Sequence, residues 1–194
     1  MRILFITSNR IGDAVLSTGL LDALIAEARG KTDEPPRVTV ATGPAAAPLF
    51  GGVPGLEKVI VLRKRRMRLH WLALWRQVGL RRWDLVVDLR RSALSYLLRA
   101  GRRLVVPKSD RPMHRVALMG RLIGREADPP APRLWTLAPH RENAARLLPD
   151  DRPVLALAPT ANWPGKIWPA ERFAELEQRL TAPDGPLANA AVAV

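Results

Sequence analysis

Asp13, Thr160 and Lys166 lie where an apolar run passes through a short turn into a helical pattern, and they supply a carboxylate, a hydroxyl and an ammonium. In "SNRIGDAVLSTGLLDAL" (8–24), Gly12 admits backbone that a side chain would hinder, and Asp13 falls at or near the helix start. A carboxylate fixed there can take a proton from a substrate hydroxyl. It can equally accept backbone N–H bonds and complement the helix dipole, and local spacing alone leaves both roles open. In "LALAPTANWPGKIWPAERFAEL" (155–176), Pro169 falls in the first turn of the predicted helix. Free N–H groups at that helix start, the Thr160 hydroxyl and the Lys166 ammonium together suit a phosphate group. The plainer alternative is a solvated lysine on a stiff loop, packed by the two bracketing tryptophans.

Neither junction carries a dinucleotide fingerprint, since "SNRIGD" lacks the G-x-G-x-x-G order, and neither is a P-loop. Charge marks a third candidate region. The chain has 31 Lys and Arg against 18 Asp and Glu, a net charge of +13. The excess concentrates in residues 63–84 and 99–115, while the first sixty residues are nearly balanced. A localised basic face attracts phosphates, anionic lipids or nucleic acid. Trp71, Leu72 and Trp75 on the same stretch suit either a membrane surface met by the neighbouring arginines or ordinary core packing.

The elements that must position these residues follow from periodicity. Strand-like runs occur at Ile3–Ile6, Val38–Ala41, Val59–Leu62, Leu85–Leu89, Leu104–Val106 and Val154–Ala158, several continuous enough to be buried on both faces. Between them, apolar spacing at Val15, Leu16, Leu20, Leu24 and Ile25 predicts a helix over about 13–29, ending near Gly30. The alternation predicts parallel strands with crossover helices, an α/β sandwich. Residues 31–36 and 43–55 read as loops, the latter with room for a short helix. The proline-rich 127–139 stretch and a connecting helix over 140–148 mark a boundary before a new strand-loop-helix unit at Val154. The predicted domains are 1–139 and 140–194. The second would end after one helix and part of a strand, so the sequence predicts a domain cut short by roughly 100–150 residues of a typical domain.

With 47% hydrophobic and 25% charged residues, the composition is that of a globular chain with a sizeable core. It has no cysteine, which excludes disulfides and thiolate metal sites and fits a reducing compartment. The opening run is too short for a signal peptide, and no stretch approaches the roughly 20 apolar residues of a membrane span. The expectation is a cytoplasmic protein, with any membrane contact peripheral. No RNA-binding or helix-turn-helix signature is present, so nucleic acid is not an expected partner. A non-catalytic basic module for anionic membrane or nucleic acid stands as the alternative reading.

"RILFITSNRIGDAVLSTGLLDAL" together with "PTANWPGKIWPAERFAEL" resembles glycosyltransferase family 9, the family of the ADP-heptose:lipopolysaccharide heptosyltransferases. "WDLVVDLRRSALSYLL" (83–98) and "HRVALMGRLIG" (114–124) support the resemblance, in the expected order. It implies a GT-B architecture: a Rossmann-like N-terminal domain that receives the acceptor and a second Rossmann-like domain, begun here, that binds the sugar nucleotide. It implies an inverting transfer without a metal or other cofactor, from a nucleotide sugar such as ADP-heptose to the anionic inner core of lipopolysaccharide, at the cytoplasmic face of the inner membrane. By residue, it implies Asp13 as catalytic base, Lys166 and Thr160 at the donor phosphates, and Arg63, Lys64, Arg65 and Arg66 as an acceptor clamp. Arg90-Arg91 departs from the small residues that relatives often carry at that turn.

Overall fold

The computed structural model describes residues 1–31, 34–63, 69–108, 113–161 and 163–194. The chain divides into two compact units, Met1–Trp135 and Thr136–Val194.

In the first unit, five strands form one parallel sheet: β1 (Arg2–Ile6), β2 (Arg37–Thr42), β3 (Leu56–Val61), β4 (Arg82–Asp88) and β5 (Arg99–Val105). Their spatial order is β3-β2-β1-β4-β5, with Ile3 opposite both Val38 and Leu85. Alternate side chains of a strand face opposite sides. Ile3, Phe5, Val38, Val40, Leu85 and Val87 accordingly meet helix α1 (Ile11–Arg29) and helix α4 (Arg115–Arg121) in one core. Leu4, Ile6, Ala41, Ile60 and Val86 meet helices α2 (Leu69–Val78) and α3 (Leu94–Leu97) in a second core. Covering both faces is what makes the strands read as continuous apolar runs.

Helix α1 is enclosed beyond its apolar stripe, burying Ser17, Thr18 and Gly19 besides Leu20, Leu21, Leu24 and Ile25. The proline-rich segment crosses it there. A Cβ on Gly19 would stand 2.3 Å from the Pro130 carbonyl oxygen, and the Arg133 N–H donates to Thr18 Oγ1 at 2.8 Å. The short helix allowed within 43–55 is a 3₁₀ turn at Ala47–Phe50.

The strand order reverses direction between β1 and β4, as the chain winds first to β2 and β3 and then returns past β1. In open parallel sheets, ligands bind outside the carboxyl ends of the strands at such a switch point. Here those ends deliver the β1–α1 loop and the turn after Asp88.

The second unit holds α5 (Ala138–Leu147), β6 (Val154–Ala156), a 3₁₀ turn at Pro164–Lys166, α6 (Ala170–Thr181) and β7 (Ala191–Ala193). β6 and β7 pair in parallel, with α6 as the crossover. One βαβ unit encloses little, and none of its described residues is fully buried.

Candidate functional site

The β1–α1 loop is built by contacts with the end of β2. The Thr7 N–H donates to the Ala41 carbonyl at 2.9 Å, and Thr42 Oγ1 donates to the Ser8 carbonyl at 2.6 Å. Gly43 lets the loop lie flat, because a Cβ there would stand 2.7 Å from both Cα and Cβ of Asn9. The buried Thr7 and Ser17 hydroxyls, 2.8 Å apart, tie the loop to α1.

Helix α1 begins at Ile11, with Arg10 as an extended N-cap that forms no side-chain cap bond. Asp13 is thus the third residue of the helix, half-buried in its first turn. Its carboxylate does not cap the helix. It accepts a long hydrogen bond from the Ser8 hydroxyl at 3.4 Å, and that hydroxyl in turn accepts from the Arg10 N–H at 3.2 Å. The expectation that Gly12 relieves a crowded backbone differs from the structure. A Cβ on Gly12 would meet nothing within 4 Å, so what this glycine leaves beside Asp13 is open space.

The turn after β4 is organised by Asp88, a fully buried carboxylate. It accepts from the Arg90 N–H at 2.9 Å, the Ser92 N–H at 2.8 Å and the Ser92 hydroxyl at 2.6 Å. Hydrogen bonds to a carboxylate are about twice as strong as neutral ones, which is how a buried charge fixes a loop. Arg91 adopts a left-handed backbone, φ 53°, a conformation a glycine takes without steric cost. Here a residue with a full side chain holds that conformation.

Arg90 leans back from this turn across the switch point. One of its terminal nitrogens, Nη1, donates to Asn9 Oδ1 at 3.2 Å, and its guanidinium carbon lies 4.7 Å from the centre of the Trp71 ring. Burial draws the guanidinium below its ordinary pKa, with Asp88 opposing. Around these groups lies an open groove of about 880 Å³, whose polar margin includes Asn9, His70, Arg90 and Ser92 and whose apolar wall includes Trp75 and Leu97. On α2, Trp71 is half-buried against the core, while Leu72 and Trp75 are exposed along the groove.

Of the residues singled out from the sequence, Asp13 lies in the first unit, four positions beyond Asn9 and outside the groove's lining. Arg63 is exposed just after β3. Lys64, Arg65 and Arg66 lie outside the described residues. Thr160 and Lys166 are exposed in the second unit, where the Lys166 N–H donates to the Trp163 carbonyl at 2.9 Å. The Trp163 ring covers Gly165 and Trp168 meets Phe173 edge-on at 5.1 Å, but both tryptophans stay exposed, at 59% and 45%, so the packed loop their presence suggests is not what the structure shows. Pro169 is the N-cap of α6, and Glu171 places a carboxylate in the helix's first turn. Sequence reasoning missed Asp88, Asn9 and Arg90 as a group. The signals were an acid ending a strand four residues before a serine, and a double arginine between them. Among the described residues, no three His, Cys, Asp or Glu side chains are grouped to hold a metal ion, and no helix is long and apolar enough to cross a membrane.

The family model for glycosyltransferase family 9 (heptosyltransferase) matches residues 89–184. Among solved structures, the chain is similar to the glycosyl transferase family 9 from Veillonella parvula DSM 2008, at 17% identity and a TM-score of 0.70, covering 91% of this chain and 58% of that one. It is also similar to E. coli ADP-heptose lps heptosyltransferase II, at 19% identity and a TM-score of 0.63, covering 93% of this chain and 61% of that one. A third similar structure is E. coli heptosyltransferase WaaC with ADP, at 14% identity and a TM-score of 0.61, covering 100% of this chain and 75% of that one. The chain therefore spans 58% of the length of the Veillonella protein. No curated protein matches the chain. At these identities the structural likeness establishes the fold, and the expected α/β architecture with a parallel sheet is that of these structures. The resemblance to family 9 read from the sequence is borne out by the family match.

Proposed function

We propose, on the premise that a chain matched by glycosyltransferase family 9 over residues 89–184 is a member of that family, that it serves an inverting, metal-independent glycosyl transfer. The donor is a nucleotide sugar, ADP-heptose, and the acceptor is the anionic inner core of lipopolysaccharide. The E. coli WaaC structures with ADP and with ADP-2-deoxy-2-fluoro heptose support this donor class. In this reading residues 1–139 receive the acceptor and residues 140–194 contribute to the donor site. The reaction takes place at the cytoplasmic face of the inner membrane.

The observation that carries the reading is the state of Asp13. Its carboxylate is half-buried at the carboxyl edge of the sheet, held by Ser8 and not engaged in capping α1. As the acceptor hydroxyl attacks the anomeric carbon, Asp13 takes its proton, and the bond from that carbon to the diphosphate oxygen breaks with inversion. Negative charge then gathers on the departing nucleoside diphosphate. Lys166, Thr160 and the leading N–H groups of α6 are the groups assigned to meet it. Arg63, with Lys64, Arg65 and Arg66, is assigned to the acceptor's anionic groups, for which a guanidinium fork is well shaped.

The test is to incubate the protein carrying this chain with ADP-heptose and Kdo-lipid A, and to follow ADP release and product mass. A heptosylated product with inverted anomeric configuration is expected. Failure to transfer from any nucleotide heptose to any core acceptor would remove the reading.

A further inference from the structure

β4 and β5 both begin on arginine, and in their parallel register Arg82 lies opposite Arg99. Like charges placed directly across a pair of strands repel each other. Arg103, four residues along β5 and on the same face of it as Arg99, joins them in lining an open cleft of about 560 Å³ with Leu80 and Leu98. Neighbouring arginines meet acids: Arg37 and Arg81 flank Glu57, and Arg102 reaches Glu27 at 3.3 Å. Arg82, Arg99 and Arg103 form no such ion pair among the described residues. Asp84, two residues along β4, accepts the Arg2 N–H at 2.6 Å, and one carboxylate leaves the three guanidinium groups a net positive charge. Arg103 donates to the Ser95 carbonyl at 2.9 Å and to the Leu98 carbonyl, both neutral. Positive charge gathered in this way attracts an anion.

The apolar residues at the cleft tell which anion. Leu80 is 90% exposed, and Leu97, beside Leu98, is 70% exposed. A fixed turn holds Leu80 outwards: the Gly79 N–H donates to the Trp75 carbonyl at 2.6 Å, the Arg81 N–H to the Val78 carbonyl at 3.3 Å, and the indole N–H of buried Trp83 to that same carbonyl at 3.0 Å. We propose that the face bearing Leu80, Arg82, Arg99 and Arg103 docks on an anionic lipid surface, with the guanidinium groups on headgroup phosphates and Leu80 in the boundary of the acyl chains. That boundary takes both residue types together, whereas nucleic acid rewards the arginines and aromatic rings but not an exposed leucine. Arg82 opens β4 and Asp88 closes it, so this face lies at the amino end, roughly 20 Å of strand from the turn that borders the candidate site. The proposal deepens the membrane location given above and rests on it.

The test is co-sedimentation of the full chain, at physiological ionic strength, with phosphatidylcholine vesicles that contain or lack phosphatidylglycerol; it needs neither donor nor acceptor. Wild type is expected to bind the anionic vesicles and to leave the neutral ones in solution. An arginine at an anionic surface is worth about fivefold in affinity, so Arg82→Gln/Arg99→Gln should weaken binding by roughly thirtyfold. Leu80→Ser should weaken it by about tenfold. Neither variant should lower the urea midpoint, since Leu80 is exposed and the two arginines oppose each other. Arg172→Gln/Arg179→Gln removes the same charge from the second unit and should leave binding within about twofold of wild type. Unchanged binding in Arg82→Gln/Arg99→Gln, or an equal loss in the second-unit pair, would overturn the docking face. So would binding that Leu80→Ser leaves intact and inorganic phosphate displaces, the mark of a soluble-phosphate site, and so would Arg82- and Arg99-dependent binding to an RNA oligonucleotide with none to vesicles. A protein that transfers heptose yet ignores the vesicles keeps the function and loses the docking face, and one that docks without transfer does the reverse.

Discussion

Asp88→Ala is the substitution whose cost can be worked most fully from this structure. The carboxylate is fully buried and accepts three hydrogen bonds, two of them from the main-chain N–H groups of Arg90 and Ser92. Deleting it leaves both amides without their acceptor, at about 1–3 kcal/mol each, while the Ser92 hydroxyl can turn to another partner. Against this stands relief from keeping a charge out of water, which offsets part of the loss. The net expectation is about 2–3 kcal/mol. In urea, with a slope of about 1–3 kcal/mol/M, the midpoint falls by roughly 1–2 M at unchanged slope. Tryptophan fluorescence reports it, because Trp71 and the buried Trp83 both belong to the affected unit. Ser92→Ala, which removes one bond and orphans no amide, should cost only about 1 kcal/mol. A midpoint for Asp88→Ala within a few tenths molar of wild type would refute the idea that this carboxylate organises the turn carrying Arg90.

Two glycines should behave oppositely when changed to alanine. Gly43→Ala drives a Cβ into the backbone of Asn9 and should destabilise by about 1–3 kcal/mol, whereas Gly12→Ala meets open space within a helix and should be neutral or stabilising by about 0.5–1 kcal/mol, both read by urea unfolding. The Glu27 carboxyl, hydrogen-bonded to the Lys31 ammonium at 2.5 Å, is held below the ordinary carboxylate range, with burial opposing and Arg102 adding to the effect. A depressed folded-state pKa gives stability that is present above the unfolded value and lost as pH falls through the folded one, so its contribution disappears on the acid side of the ordinary range. An NMR titration of Glu27 should show this low value rising towards normal in Lys31→Gln and at high salt. Lys166→Ala should weaken ADP binding by roughly tenfold, measured by calorimetry, and unchanged affinity would remove its phosphate role.

The sheet was legible because strands buried on both faces are written as unbroken apolar runs, as at Ile3–Ile6. The edge strand was less so. Leu104–Val106 marks only the end of β5, which runs Arg99–Val105 with most of its early positions exposed; there arginine costs nothing, and pairing with β4 defines the strand. The burial of Ser17, Thr18 and Gly19 could not be read from the helix pattern, since the segment that covers them arrives from residues 130–133. The same limit applies to the candidate site. Asp13 was visible as an acid at a helix start, but whether it caps or stays free depended on Arg10 taking the N-cap position. Arg90, Trp71 and Asn9 meet only because β1 and β4 are neighbours, a pairing that no local spacing encodes.

The proposed proton transfer to Asp13 is the step on which the glycosyl transfer depends. It is tested by single-turnover transfer from ADP-heptose to Kdo-lipid A, comparing the wild-type protein carrying this chain with Asp13→Asn. The amide preserves size and cannot accept the proton, so the transfer rate is expected to fall about 10²–10⁴-fold, with acceptor and donor affinities nearly unchanged. An Asp13→Asn protein that transfers heptose as fast as wild type would contradict it.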